Sequence, residues 1–172
     1  SESAYSGNLN LNKFKLGEWF NDTAIGDVSL TAKVNGKGLK IETLNSKIEG
    51  RLDEFTYKNY SYKNLTVNGS VKGKSFLGAL SINDPNLDVT FNGKADMSGA
   101  TPAFKFNSEV KNISLKELHI TTEDYQFQGT VDADFTGKNI DELDGSLAIN
   151  NLKIVRNDEV QVLRSTTLKS ST

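Results

Sequence analysis

An all-β fold is predicted, and three observations predict it. Apolar and polar residues alternate with period two along most of the chain. Asn, Gly, Asp and Pro clusters punctuate the alternation at short intervals. No stretch of helical periodicity is long enough to stand alone. The clearest alternation is Leu87, Val89, Phe91, Gly93, Ala95 and Met97 against Asp88, Thr90, Asn92, Lys94 and Asp96. A second is Tyr125, Phe127, Gly129, Val131, Ala133 and Phe135 against Gln126, Gln128, Thr130, Asp132 and Asp134. Val28, Leu30, Ala32 and Val34 make a third.

Shorter runs fill the remainder: Leu39-Ile41, Leu65 to Val71, Phe76 to Ile82, Phe104 to Val110, Leu118-Ile120, Leu147-Ile149, Leu152-Ile154 and Val160-Val162. Turns are expected at Asn35 to Gly38, Gly73-Lys74, Asn83 to Asn86, Ser98 to Pro102, Asn150-Asn151 and Asn157-Asp158. Connections this short join antiparallel neighbours. About a dozen strands result, with single helical turns near Leu115 and Ile140 at most. Lys13 to Phe20 reads as a bulky apolar loop.

Glycine recurs between apolar residues at spacing two, as in Tyr5-Ser-Gly7-Asn-Leu9, Val67-Asn-Gly69-Ser-Val71, Phe76-Leu-Gly78-Ala-Leu80 and Phe91-Asn-Gly93-Lys-Ala95. That spacing puts the glycine on the apolar face, where it leaves a notch. Notches of this kind mark sharp curvature, a bulge, or close approach of another chain or ligand. A sandwich, a closed barrel and a sheet curled into an open gutter all fit the alternation, and the glycines favour strong curvature.

Composition narrows the chemistry. The 172 residues suit one domain, and 36% of them are hydrophobic, which is lean for a thick two-layer core. Lys+Arg number 20 against 22 Asp+Glu, interspersed, so the basic footprint of a nucleic-acid binder is missing. With no cysteine, no thiolate metal site can be assembled, and the one histidine, His119, sits opposite the apolar parity of Leu118 and Ile120 and reads as a surface or half-buried structural residue. Paired acids such as Asp132 with Asp134 and Asp88 with Asp96 lie on the wet parity, where solubility accounts for them. Gly36-Lys37-Gly38 and Gly73-Lys74 lack the helix of a phosphate loop and read as turns. Phe55, Tyr57, Tyr60 and Tyr62 form an aromatic cluster, read as packing at a strand corner, with a sugar-stacking platform as the functional alternative. No run approaches the roughly 20 apolar residues of a membrane helix. The Ser1-Glu2-Ser3-Ala4 start lacks signal-peptide character, and a fragment of a longer protein is expected.

Four segments carry a resemblance. They are Asn12 to Phe20 with Ile25 to Leu30; Tyr57 to Gly69; Phe76-Leu-Gly78 through Asp84-Pro85-Asn86 to Gly93; and Val110 to Leu118 with Phe135 to Asp141. In this order the chain resembles the AsmA-like/TamB group, the translocation and assembly module proteins of the bacterial envelope, and its Bacteroidetes branch in particular. The resemblance implies an internal β-repeat segment, residues 1–172, of a long periplasmic protein anchored in the inner membrane. It implies an all-β, strongly curved, mostly antiparallel sheet forming an elongated open gutter (β-taco-like), with a β-sandwich as the alternative. It also implies phospholipid acyl chains as cargo between inner and outer membranes, and an outer-membrane barrel assembly protein as partner.

No enzymatic activity, cofactor, metal or nucleic acid is expected. The groove would be lined by the apolar parity: Val28, Leu30, Val34, Ile48, Leu52, Val67, Val71, Leu80, Ile82, Val89, Phe91, Phe106, Phe127, Val131, Phe135 and Leu147. Two other readings stay open, a strand-pairing scaffold or chaperone and a structural β-module of a surface adhesin.

Overall fold

A computed structural model of the chain describes residues 3–20, 23–38, 40, 42–138 and 142–170. The alternating segments become ten strands: β1 (Ala4–Lys15), β2 (Ile25–Lys37), β3 (Asn45–Tyr57), β4 (Tyr60–Lys72), β5 (Ser75–Asp84), β6 (Leu87–Asp96), β7 (Ala103–Ser114), β8 (Tyr125–Thr136), β9 (Asp144–Arg156) and β10 (Glu159–Ser170). One short helix, α1 (Leu16–Phe20), joins β1 to β2. The strands form a single antiparallel sheet in the order β1 through β10, each paired with its neighbours in sequence. The sheet does not close into a barrel: β1 and β10 are its two edges. At about 4.8 Å between strands, nine intervals span roughly 43 Å.

The turns show why the chain reverses so often. Lys58 and Asn59 (φ 48° and 63°) join β3 to β4, and Asn157 and Asp158 (φ 48° and 67°) join β9 to β10. Two consecutive left-handed residues match the right-handed twist of the strands they connect. At Asp84-Pro85-Asn86-Leu87 the Asp84 carboxylate accepts the Asn86 backbone N–H at 2.9 Å, closing the turn. Gly73-Lys74 is also a plain two-residue turn, between Lys72 and Ser75.

Several expectations are corrected. Asn150-Asn151 is not a turn but a bulge inside β9. Asn151 takes φ 52°, the register with β8 shifts there, and the two short runs on either side belong to one strand. Leu118-Ile120 alternates like a strand but lies in the β7–β8 loop, where Leu118 N–H bonds the Ser114 carbonyl at 3.0 Å and His119 N–H the Lys116 carbonyl at 3.0 Å. This is the single turn expected near Leu115. Asn35 and Gly36 continue β2 instead of ending it. Lys13 to Phe20 is the end of β1 followed by α1 instead of a loop. The expected turn at Ile140 and the Leu39-Ile41 run fall on residues outside those described.

The ladder irregularities gather at one level of the sheet. A register shift separates Leu11 from Phe14 on β1, with Lys13 at φ 48°. Another sits beside Leu30 and Leu52, and Asn64 on β4 takes φ 54° opposite Asp53. The β7 shift lies between Val110 and Ile113. Each bulge bends its strand and increases local twist, so a line of them twists the sheet along one transverse seam. The seam also lets Phe55 share a face with Leu52 although their spacing in sequence is odd.

Candidate functional site: the apolar face

Directly opposed residues in an antiparallel ladder share a face, so the register fixes which side chains lie together. One row runs Leu11, Leu30, Leu52, Leu65, Ile82, Val89, Val110 and Gly129 across eight strands. The next runs Leu9, Ala32, Gly50, Val67, Leu80, Phe91, Ser108, Val131, Ile149 and Thr166 across all ten. A third holds Val34, Ile48, Phe106 and Leu147, and a fourth Val71, Phe76, Phe104 and Phe135. Beyond the bulge seam, Val28 lies beside Phe55, and Phe127 beside Ile113 and Ile154. All sixteen residues singled out from the sequence therefore share one face. Val28 is buried and Leu80 exposed; the other fourteen are half-buried. Thr31, Lys94, Gln128 and Asp132, of opposite parity, are all exposed.

The third row contains a glycine patch. Gly69, Gly78 and Gly93 stand side by side on β4, β5 and β6. A Cβ on Gly78 would sit 2.4 Å from the Gly69 Cα, and one on Gly69 would sit 2.8 Å from Phe76 Cε2. The notches are thus taken up by close backbone approach and by an aromatic ring. Ring centroids of Phe76 and Phe91 are 6.1 Å apart and those of Phe91 and Phe106 are 4.9 Å apart, an aromatic strip beside the glycines.

The apolar face stays largely uncovered. Among the described residues only Val28, Ala32, Leu118, Ala133 and Leu143 are buried hydrophobics. The polar face carries cross-strand pairs instead. Lys105 Nζ meets Asp134 at 2.6 Å, and Asn107 donates to Asp132 at 2.7 Å, both exposed. The described depressions also open on this polar side. One, of about 770 Å³, is lined by Thr31, Lys33, Arg51, Thr66 and Asn68 together with the intervening Ala32, Gly50 and Val67. Another, of about 700 Å³, is lined by Asn92, Lys105, Asp132 and Thr167. A twisted sheet is saddle-shaped, so each face is concave along one diagonal. Period-two reasoning sorts side chains by face but carries no information on where the surface hollows.

The aromatic cluster packs at the β3–β4 corner. Phe55 lies 6.5 Å from both Tyr57 and Tyr62, and Tyr60 lies edge-on to Tyr62 at 4.8 Å. The Tyr60 hydroxyl donates to Asp84, which is 3% exposed and also accepts the Lys63 backbone N–H at 3.1 Å. Asn86 donates to the Tyr60 hydroxyl at 3.2 Å. His119, exposed at φ 59°, sets its ring edge-on to Tyr60 at 6.1 Å. The β7–β8 loop therefore reaches past the β5–β6 turn to a ring on β4, tying three connections together at one end of the sheet.

This tie titrates. Burial and the hydrogen bond to Asp84 push Tyr60 up to about 12. The group is an acid whose folded value lies above its unfolded one. Its contribution to stability is present below pH 10 and is lost as pH rises through 12. In an alkaline titration followed by tyrosinate absorbance, one tyrosine is expected to ionise last. Tyr60→Phe should delete that step and the accompanying loss of stability between pH 10 and 12.

The described residues contain no cluster of three or more His, Cys, Asp or Glu able to hold a metal ion. No described helix is long and apolar enough to cross a membrane. Comparison with protein-family models, curated proteins and solved structures finds no match to this chain.

Proposed function

We propose that this chain is a β-repeat segment of a periplasm-spanning envelope protein, anchored in the inner membrane, that shields lipid acyl chains along its apolar face. The observation that carries the reading is a continuous apolar surface across the sheet, uncovered by any second layer among the described residues. An open apolar face of this extent marks a surface that something else covers. The likeness to AsmA-like/TamB proteins makes a phospholipid acyl chain the occupant. It also makes transport between the two membranes and outer-membrane assembly, in concert with a barrel assembly protein, the context.

The mechanism is physical and non-enzymatic. An acyl chain laid along the face leaves water, worth about 0.8 kcal/mol per buried CH₂. The rows run perpendicular to the strands, so the same contacts recur from one strand to the next. A chain sliding along a row exchanges one set of apolar neighbours for an equivalent one and keeps its burial. Curling of the sheet about that axis, favoured by the glycine patch and the bulge seam, would turn the face into a gutter with the head group at the open edge. The small number of buried hydrophobics supports an open gutter over a sealed sandwich.

The test is cross-linking of the purified chain with a phospholipid bearing a photoreactive acyl chain. Adducts are expected on apolar-row residues such as Val67, Phe91 and Val131 and not on Thr31, Gln128 or Asp132. Adducts spread evenly over both faces, or none at all, reject the reading.

A further inference from the structure

Successive strands run antiparallel, so their connections alternate between two ends of the sheet. Curled about its rows, the sheet has those two ends as the rims of its gutter. One rim carries the β1–β2, β3–β4, β5–β6, β7–β8 and β9–β10 connections, and it is packed and tied. There α1 packs on β2. The two least exposed hydrophobics among the described residues, Val28 and Leu118 (2% each), lie at this rim. The Ser114 N–H bonds the Asn86 carbonyl at 2.9 Å, and the Asn112 side-chain amide donates to the Pro85 carbonyl at 3.0 Å. The rim is also acidic. Glu117, Glu123, Asp124, Asp158 and Glu159 stand at its last two connections against Lys116 and Arg156.

The opposite rim is low and basic at its centre. β4 and β5 meet there through the two-residue turn Gly73-Lys74. The neighbouring β6–β7 connection, Met97 to Thr101, is exposed. Lys47, Lys72 and Lys74 are exposed and form no ion pair among the described residues. The nearby Asp96 carboxylate is already engaged, by Lys94 at 2.8 Å and by the Ser98 backbone N–H at 3.0 Å. Lys72 also lines a hollow of about 740 Å³ on the outer side of this rim, with Ser70 and Ser75; Glu42 is the other acid lining it.

We propose that this basic rim holds the phosphate of an anionic phospholipid whose acyl chains lie on the apolar face. The inference rests on the function proposed above, and it adds the head-group charge and the rim that takes it. The last apolar row, Val71 beside Phe76, is one residue from the Lys72–Ser75 pair that carries the turn. At about 3.4 Å per residue, the rim stands less than about 10 Å from an acyl chain on that row. A glycerol backbone bridges that distance. Each lysine stem lies along apolar surface while its ammonium stays in water. Two ammoniums beside one phosphate add charge-assisted hydrogen bonds. At the opposite rim the carboxylates repel the same phosphate.

Vesicles of phosphatidylglycerol and of phosphatidylcholine, each with the same photoreactive acyl chain, are offered to the purified 172-residue chain. Apolar-row adducts are expected to be at least about threefold more abundant from phosphatidylglycerol at about 0.05 M salt, the gap closing toward about 0.5 M. Lys72→Glu with Lys74→Glu should remove the gap. Lys111→Glu with Lys116→Glu, the same charge change near the acidic rim, should keep it. Phosphatidylglycerol with the photoreactive group on its head should mark residues 72–75. Equal yields from the two lipids in the parent chain overturn the proposal. So does a gap that the Lys111–Lys116 variant closes equally well, or head-group adducts on the acidic rim. In each of these the acyl adducts persist, and the acyl-chain reading stands. Absence of apolar-row adducts from both lipids instead removes that reading, and this inference with it.

Discussion

Val89→Asp and Phe127→Lys are expected to abolish acyl-chain cross-linking while the sheet still folds. Val89 sits mid-row between Ile82 and Val110, and Phe127 between Ile113 and Ile154. Both are half-buried, so a charge at either position keeps access to water on the open side. The fold therefore loses local packing, about 1–2 kcal/mol, and avoids the penalty of a sealed charge. A bound acyl chain has no such escape, because the charge would have to be stripped of water under the hydrocarbon. In a closed sandwich core the same substitutions would leave an unpaired buried charge. They would then threaten the whole of a 5–15 kcal/mol stability. Thermal melting and lipid cross-linking of the same variants separate the two cases. Retained melting with lost adducts supports the gutter. Loss of folding, together with no adducts from the parent chain, leaves a closed β-module.

The strands were legible because period-two alternation is a one-dimensional signal. Val28 to Val34, Leu87 to Asp96 and Tyr125 to Phe135 lie inside strands, with the predicted residues on one face. What the chain conceals depends on partners. Asn150-Asn151 looks like a turn because Asn tolerates the left-handed region, and a bulge uses the same tolerance without reversing the chain. Leu118 and Ile120 alternate like strand residues, yet the loop that holds them turns at His119 (φ 59°). The alignment of Gly69, Gly78 and Gly93 into one patch follows from register across three strands, which no single segment encodes. The hollows of the polar face arise from twist accumulated over the sheet. The geometry supplies the open apolar face alone, and the acyl chain is its proposed occupant.

Gly7 and Gly93 share a motif and should respond oppositely to substitution. Each lies between apolar residues at spacing two, in Tyr5-Ser-Gly7-Asn-Leu9 and Phe91-Asn-Gly93-Lys-Ala95, and each faces the apolar side. A Cβ on Gly7 meets nothing within 4 Å. Gly7→Ala is therefore expected to be neutral, or to stabilise by up to about 1 kcal/mol by restricting the unfolded chain. Gly93 has φ 150°, a conformation that L side chains rarely adopt. A Cβ there would fall 2.2 Å from the Lys105 carbonyl oxygen and 2.5 Å from the Phe106 Cα. Those are backbone atoms of the neighbouring strand, so relief requires β6 and β7 to separate and their ladder to weaken. Gly93→Ala should cost about 3 kcal/mol or more, and Gly93→Val more again. Both are read by denaturant melts of the purified chain. Equal effects at Gly7 and Gly93 would mean that the close approach of β6 and β7 does not hold in solution. The glycine patch would then lose its role in shaping the sheet. A large loss confined to Gly93 would place the bend at the strands where glycines meet side by side.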